Sequence, residues 1–192
     1  MDFLELVNTR YAVRSYTSQP VEEAKLAKIL EAGRMAPTGG NLQPQRLVVV
    51  RQPEGLQKLG KAANIYGAPL AVIVCADTTK TWTRPQDGKK LTDIDASIVT
   101  DHMMLQATEL GLASVWVCWF DKVDLRKQFA LPEQWEPVNI LVLGYGAEPA
   151  KPAAQHSAMR KPLQETVWNE TGQSIDLTGK KRDNNTTNNY SD

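Results

Sequence analysis

Four short apolar runs, at 46–51 (RLVVVR), 69–76 (PLAVIVCA), 113–118 (ASVWVC) and 138–145 (VNILVLGY), recur along the chain with helical spacing between them. Runs of this length bounded by turn residues read as strands, and strands separated by helices imply an α/β or α+β domain on a mixed sheet. The first run has four consecutive apolar residues, which predicts burial on both of its faces. Asp2 is placed to cap a short helix to about Thr9, in which Phe3, Leu6 and Val7 share a face. After Pro20 a second helix carries Leu26, Ile29, Leu30 and Gly33 at helical spacing, and Pro37 stops it. A third helix is expected over 53–63, and a fourth over 122–129 behind Asp121 as cap. The longest helix is expected over 93–110, with Thr92 and Asp95 as a start resembling a capping box. Its apolar residues, Ile94, Ile98, Val99, Met103, Met104, Leu105, Ala107 and Leu110, cover more than one face, as suits a central or subunit-interface helix. The polar stretch over 77–92 is long enough to predict a lid or binding loop.

The charge balance narrows the function. With 22 Lys and Arg against 22 Asp and Glu, the formal net charge is zero, which argues against a nucleic-acid or membrane-surface role. No apolar run approaches the roughly 20 residues of a membrane helix, and Asp2 and Glu5 interrupt the start, so no signal peptide is expected and the compartment reads as cytoplasmic. Cys75 and Cys118 both fall in strand-like apolar segments and read as buried small hydrophobes. From Asn169 the chain turns rich in Thr, Asn and Gly, so residues 1–168 form the expected single domain and 169–192 a tail that is disordered or wraps a partner.

The chemical inventory excludes as much as it offers. His102 and His156 are the only histidines, too few for a multi-histidine metal site or an evident Ser-His-Asp set, and His102 reads as a hydrogen-bonded core or interface residue. Gly144-Tyr145-Gly146 follows a strand but lacks the third glycine and helix of a dinucleotide fingerprint. A chain without nucleophile or metal leaves the hard chemistry to an organic cofactor. Three segments fit that idea. Arg10 and Arg14 in RYAVR read either as a solvated helix end or as an anion clamp. The Pro37–Pro44 stretch joins consecutive glycines to Thr38, Asn41 and Gln43, and reads either as a turn or as a backbone approach to a flat ligand. Arg160-Lys161 is a cationic pair that alone reads as surface.

Taken together, these segments resemble the nitroreductase family of FMN-dependent oxidoreductases over about residues 3–168. The carriers are RYAVRSY at 10–16, RMAPTGGNLQPQRLVVV at 34–50, ELGLASVWVCWF at 109–120, LGYGAEPAKP at 143–152 and RKPLQETV at 160–167. The resemblance implies an α+β fold, a three-layer α/β/α sandwich with a central mixed sheet, in an intertwined homodimer with FMN at the subunit interface. It implies that Arg10, Arg14, Arg160 and Lys161 supply cations to the FMN phosphate and the pyrimidine edge of the ring, with Tyr11 and Ala12 beside them. Pro37, Thr38, Gly39 and Asn41 match a loop that reaches the flavin of the neighbouring subunit. Trp116, Cys118 and Trp119 fall on the strand end that passes the isoalloxazine, through backbone amides. The implied activity is electron transfer from NAD(P)H, a transient reductant, through flavin to a nitroaromatic, quinone or similar small-molecule acceptor by a ping-pong mechanism. Alternatives in the same superfamily are dehalogenation, dehydrogenation and flavin breakdown; a flavin-binding module without turnover is another. Ala12 stands where Ser is common in the family, and Cys118-Trp119 where smaller or acidic residues are common.

Overall fold

The computed structural model describes residues 1–149 and 151–175, in two compact units, one spanning Met1–His156 and the other beginning at Ser157. In the first, α1 (Phe3–Thr9) is closed by a capping box. The Asp2 carboxylate accepts the Glu5 N–H at 2.8 Å, and Glu5 accepts the Asp2 N–H at 3.0 Å. Of the expected apolar face, Leu6 and Val7 are half-buried and Phe3 is exposed.

α2 (Glu23–Met35), β1 (Gln45–Val50), α3 (Pro53–Ala62), β2 (Leu70–Asp77), α4 (Thr92–Glu109), β3 (Ala113–Val117), α5 (Lys122–Gln128) and β4 (Trp135–Gly144) follow in order. Every residue of β2 is buried, because the strand has a core on each face. Leu70, Val72, Val74 and Ala76 pack with Leu26 and Ile29 of α2 and Val99 and Met103 of α4. Ala71, Ile73 and Cys75 pack with Leu59 of α3 and Leu125 of α5. Period-two alternation thus sends one apolar run into two cores, which is why it contains no polar interior residue.

The sheet order is β1-β2-β4-β3, and each pairing is antiparallel. This corrects the mixed sheet expected from the sequence. β2 and β3, joined through α4, do run in the same direction, but β4 inserts between them and pairs antiparallel with both. Among the described residues the parallel pairing is an isolated bridge from Ala12 to Ser114. β1 lies at a sheet edge; Leu47 and Val49 pack on one core and Val48 and Val50 on the other, as the apolar run predicts, but the open edge leaves all but Val50 half-buried. β4 begins three residues before its expected start and passes through Pro137. There the register steps from Val74 opposite Asn139 to Cys75 opposite Pro137, a bulge that suits a residue without an N–H.

Two local expectations change. α4 has no side-chain cap; Leu91 precedes it, and Asp95 turns its carboxylate to Gly39 instead. The 78–91 stretch folds as a short hairpin with a Thr83–Lys90 bridge, the Leu91 N–H donating to the Trp82 carbonyl at 3.0 Å and Arg84 paired with Asp87. Further along, Asp121 caps α5 by accepting the Asp124 N–H at 2.9 Å. No helix among the described residues is long and apolar enough to cross a membrane.

Candidate functional site

Beyond α1 the chain leaves helical geometry at Arg10 (φ −65°, ψ 126°) and runs extended along the outer edge of β3. The Val13 N–H donates to the Ser114 carbonyl at 3.0 Å, Val13 is buried, and Ala12 and Arg14 face out. Extended backbone alternates its side chains, so Arg10, Ala12 and Arg14 share one side of this segment. The helix-end reading of the arginine pair gives way to a strand edge carrying two guanidinium groups. Arg10 and Tyr11 line a cleft of about 310 Å³ with Thr108, Ser114, Tyr145 and Gly146. Its wall is fixed by the Tyr145 hydroxyl, which donates to Glu22 and accepts from Lys25, each at 2.8 Å. Tyr16 donates to the Val13 carbonyl at 2.9 Å, and burial pushes its phenol well above the usual range despite nearby Arg14.

β3 leads from this cleft to a larger one. Ser114 turns its carbonyl to the outer edge, and alternation directs the backbone groups of Trp116 the same way, as donors and acceptors on an open strand edge. The Trp116 side chain packs against the α2/α4 core, its Nε1 buried without a hydrogen-bond partner among the described residues. Cys118, one residue past the strand, is exposed, which corrects its reading as a buried hydrophobe; Cys75 is the buried one, its thiol pushed up to about 12 by burial. Trp119 is 94 % exposed and lines a cleft of about 650 Å³ with Lys61, Asn64, Tyr66, Phe120 and Asp121. That volume lies in the range of small-molecule sites.

The 37–41 segment stands elsewhere. Thr38 accepts the Gln43 N–H at 3.0 Å, and Gly39–Asn41 form a single 3₁₀ turn whose Gly39 N–H donates to Asp95 at 2.9 Å. Asp95 lies in the first turns of α4, whereas Thr108, which lines the Arg10 cleft, lies near its end. At 1.5 Å per residue these points are about 20 Å apart. Pro37, Thr38, Gly39 and Asn41 are therefore not gathered with Arg10 and Tyr11 within one chain. Exposed apolar side chains lie at Met35, Leu42 and Ile94 around this turn, and at Phe3 and Leu4 on α1. Arg160 and Lys161 belong to the second unit, where both are exposed and Lys161 stands 3.9 Å from Glu165. In the same unit Asn169 Oδ1 accepts the N–H groups of Thr171 and Gln173, so the start of the expected tail is a side-chain-capped turn; positions 176–192 lie outside the described residues.

His102 bonds the Ile98 carbonyl at 3.0 Å and takes no part in either cleft, as its core reading anticipates. No cluster of metal-ligating side chains occurs among the described residues. Sequence reasoning missed Ser114 and the cleft residues Lys61, Asn64 and Tyr66, whose ordinary spacing carries no signal. It noticed Asp95 but assigned it to a cap.

Comparison with known proteins gives this arrangement a family. The sequence model of the Nitroreductase family matches residues 7–65 and 57–145. A crystal structure of a nitroreductase family protein from Clostridium difficile is 58 % identical, covers 88 % of this chain and 99 % of its own, and superposes with a TM-score of 0.87. An FMN-dependent nitroreductase from another strain of that species is 27 % identical over 80 % of this chain and 94 % of its own, with a TM-score of 0.66. A Methanothermobacter thermautotrophicus protein, provisionally named NADH dehydrogenase/NAD(P)H nitroreductase, is 33 % identical over 77 % of this chain and 79 % of its own. Since the family model spans well over half of its length, the chain belongs to the nitroreductase family.

Proposed function

We propose that the chain is the subunit of a cytoplasmic, homodimeric FMN oxidoreductase that takes electrons from NAD(P)H and delivers them to nitroaromatic, quinone or similar electron-poor acceptors. The observation that carries this reading is the cationic segment at Arg10–Arg14 laid along the open edge of β3, which continues to the aromatic cleft at Trp119. The β3 edge covers about 10 Å from Ser114 to Val117, and with the residues just past it offers a cationic end, a row of backbone groups and a wide cleft flanked by Tyr66, Trp119 and Phe120. A mononucleotide with a phosphate and a flat ring has matching chemistry in the same order. FMN, when bound, supplies two-electron chemistry between a reduced nicotinamide and an acceptor.

The protein's share is binding and orientation. Arg10 and Arg14 hold the phosphate by charge-assisted hydrogen bonds, with Tyr11 and Ala12 beside them. Backbone groups of Trp116, Cys118 and Trp119 meet the ring edge, where a donor stabilises negative charge. Arg160 and Lys161 are assigned as further cofactor cations on the resemblance alone. The residues Pro37, Thr38, Gly39 and Asn41 are assigned to the site of the partner subunit, a reading supported by the about 20 Å that α4 puts between them and their own Arg10. This makes the dimer intertwined, with helices on both sheet faces as an α/β/α sandwich over a domain of 1–168 and a tail at 169–192. One cleft serves reductant and acceptor in turn, a ping-pong order consistent with the missing dinucleotide fingerprint.

The test is a visible absorption spectrum of the purified protein before and after anaerobic NADH or NADPH. Flavin bands that bleach with either reductant, and return on adding 1,4-benzoquinone, are expected. Bands that persist refute the reductase reading in favour of a binding module, and no bands after FMN soaking and gel filtration refute the cofactor.

A further inference from the structure

The turn that follows Pro37 carries more left-handed backbone than its own glycine and asparagine account for. Gly40, Asn41 and Gln43 have φ of 57°, 54° and 49°, three left-handed residues within four positions, two of them not glycine. Such backbone persists only where neighbouring structure holds it, and it concentrates at ligand sites.

Within the turn the Thr38 hydroxyl accepts the Gln43 N–H at 3.0 Å, and Leu91 Cδ1 stands 2.9 Å from where a Gly39 Cβ would lie; two further side chains from outside the turn, Asp95 and Trp82, fix its place. The Asp95 carboxylate is 1 % exposed and accepts the Gly39 N–H through Oδ1 at 2.9 Å. Its Oδ2 is buried with no hydrogen-bond partner among the described residues. A carboxylate that merely capped α4 would sit at the solvent and bond the helix's own N–H groups; this one is withdrawn from water and committed to a distant loop. Trp82, from the 78–91 hairpin, is the second. A Cβ at Gly39 would stand 3.0 Å from the Trp82 Cβ, and one at Gly40 3.1 Å from its Cδ1. The glycine pair thus lies directly on the indole, and the hairpin is a fixed floor beneath the turn.

We propose that Asp95 and Trp82 are positioning residues for the site. Asp95 grips the turn by one N–H and Trp82 supports it from below, so together they set where Thr38 and Asn41 stand against the flavin of the partner subunit. This rests on the reading that the turn serves the partner's site. Their role is exerted through the turn.

The experiment compares Asp95→Ala, Asp95→Asn, Trp82→Ala, Trp82→Phe and Asn41→Ala with the parent protein. It reads the FMN dissociation constant by fluorescence titration, the shape of the visible flavin band, and kcat and KM for NADH with 1,4-benzoquinone. Asp95→Ala is expected to weaken FMN binding about 10-fold and change the band, while Asp95→Asn, which keeps an oxygen for the Gly39 N–H, stays within about threefold. Trp82→Ala should move in the same direction as Asp95→Ala, and Trp82→Phe back toward the parent. Those two carry the comparison if Asp95→Ala does not fold. Parent-like affinity and band in Asp95→Ala or Trp82→Ala, alongside a changed band in Asn41→Ala, overturn the positioning role and leave the partner-site reading intact. An unchanged band in Asn41→Ala overturns both. Loss in Asp95→Asn equal to that in Asp95→Ala also overturns the hydrogen-bond role.

Discussion

If each site takes Arg10 from one subunit and Asn41 from the other, two inactive variants should repair one another. Arg10→Ala removes charge-assisted hydrogen bonds worth about 1.5–3 kcal/mol, or roughly 10- to 150-fold in affinity. Asn41→Val places a β-branched side chain at φ 54°, which costs roughly 1–2 kcal/mol in the turn and also removes the amide. Mixed after unfolding and refolding at equal concentration, the two chains form about half heterodimers. In each heterodimer both lesions fall in one site and the other site is intact, so about a quarter of all sites recover parent activity. Were the residues in one chain's site, every site in the mixture would keep one lesion. The assay is NADH oxidation at limiting FMN, with two affinity tags to verify heterodimers. Heterodimers that form without recovered activity would falsify the argument from the length of α4.

Other outcomes follow from particular side chains. In the native protein one thiol, Cys118, should react promptly with a disulfide reagent, and Cys75 only on unfolding; two prompt thiols would contradict the burial of β2. Cys75 also gives an alkaline signature. Its folded pKa lies near 12, above the roughly 8.5 of an unfolded thiol, so its stabilisation is full below the unfolded value and is lost as pH rises from there. Cys75→Ala should flatten that limb of the Tm profile, and an unchanged slope counts against it. At the acid end, the Thr79 hydroxyl and amide, with the Arg46 guanidinium 3.2 Å away, hold the Asp77 carboxyl below its usual range. Its contribution is present above the unfolded pKa of about 3.9 and is lost as pH falls through the folded value. Asp77→Asn should therefore lower Tm at neutral pH and narrow its gap to the parent toward pH 2. Trp119→Gly should widen the range of acceptors reduced without releasing FMN; released flavin would mean that the indole packs the cofactor.

Much of the fold was legible because burial and secondary structure left the same mark. β2 announced itself by an unbroken apolar run, α2 by helical spacing ended at Pro37, and α5 by Asp121 as cap. What escaped depended on neighbours in space. Nothing local tells that β4 inserts between β2 and β3, so the sequence pattern alone points to a mixed sheet. Pro137 reads as a stop until the bulge opposite Cys75 supplies a place for a residue without an N–H. Thr92 and Asp95 have the right spacing for a capping box, but Gly39, 56 positions upstream, takes the Asp95 oxygen. Within the site, Arg10, Tyr11 and Trp119 stand out in the sequence and do line clefts. The cleft walls at Asn64 and Tyr66 do not stand out, since shape without charge or glycine leaves no pattern in a sequence.

The span of α4 also has a thermodynamic consequence. If the site is shared between two chains as proposed, a ligand gripped by residues some 20 Å apart on each chain meets a complete site only in the pair, so binding and association are linked and the linkage is reciprocal. Whatever factor dimer formation adds to cofactor affinity, the cofactor returns to the dimer constant. Dilution should then release flavin and separate the chains in a single transition, and added FMN should move that transition to lower protein concentration.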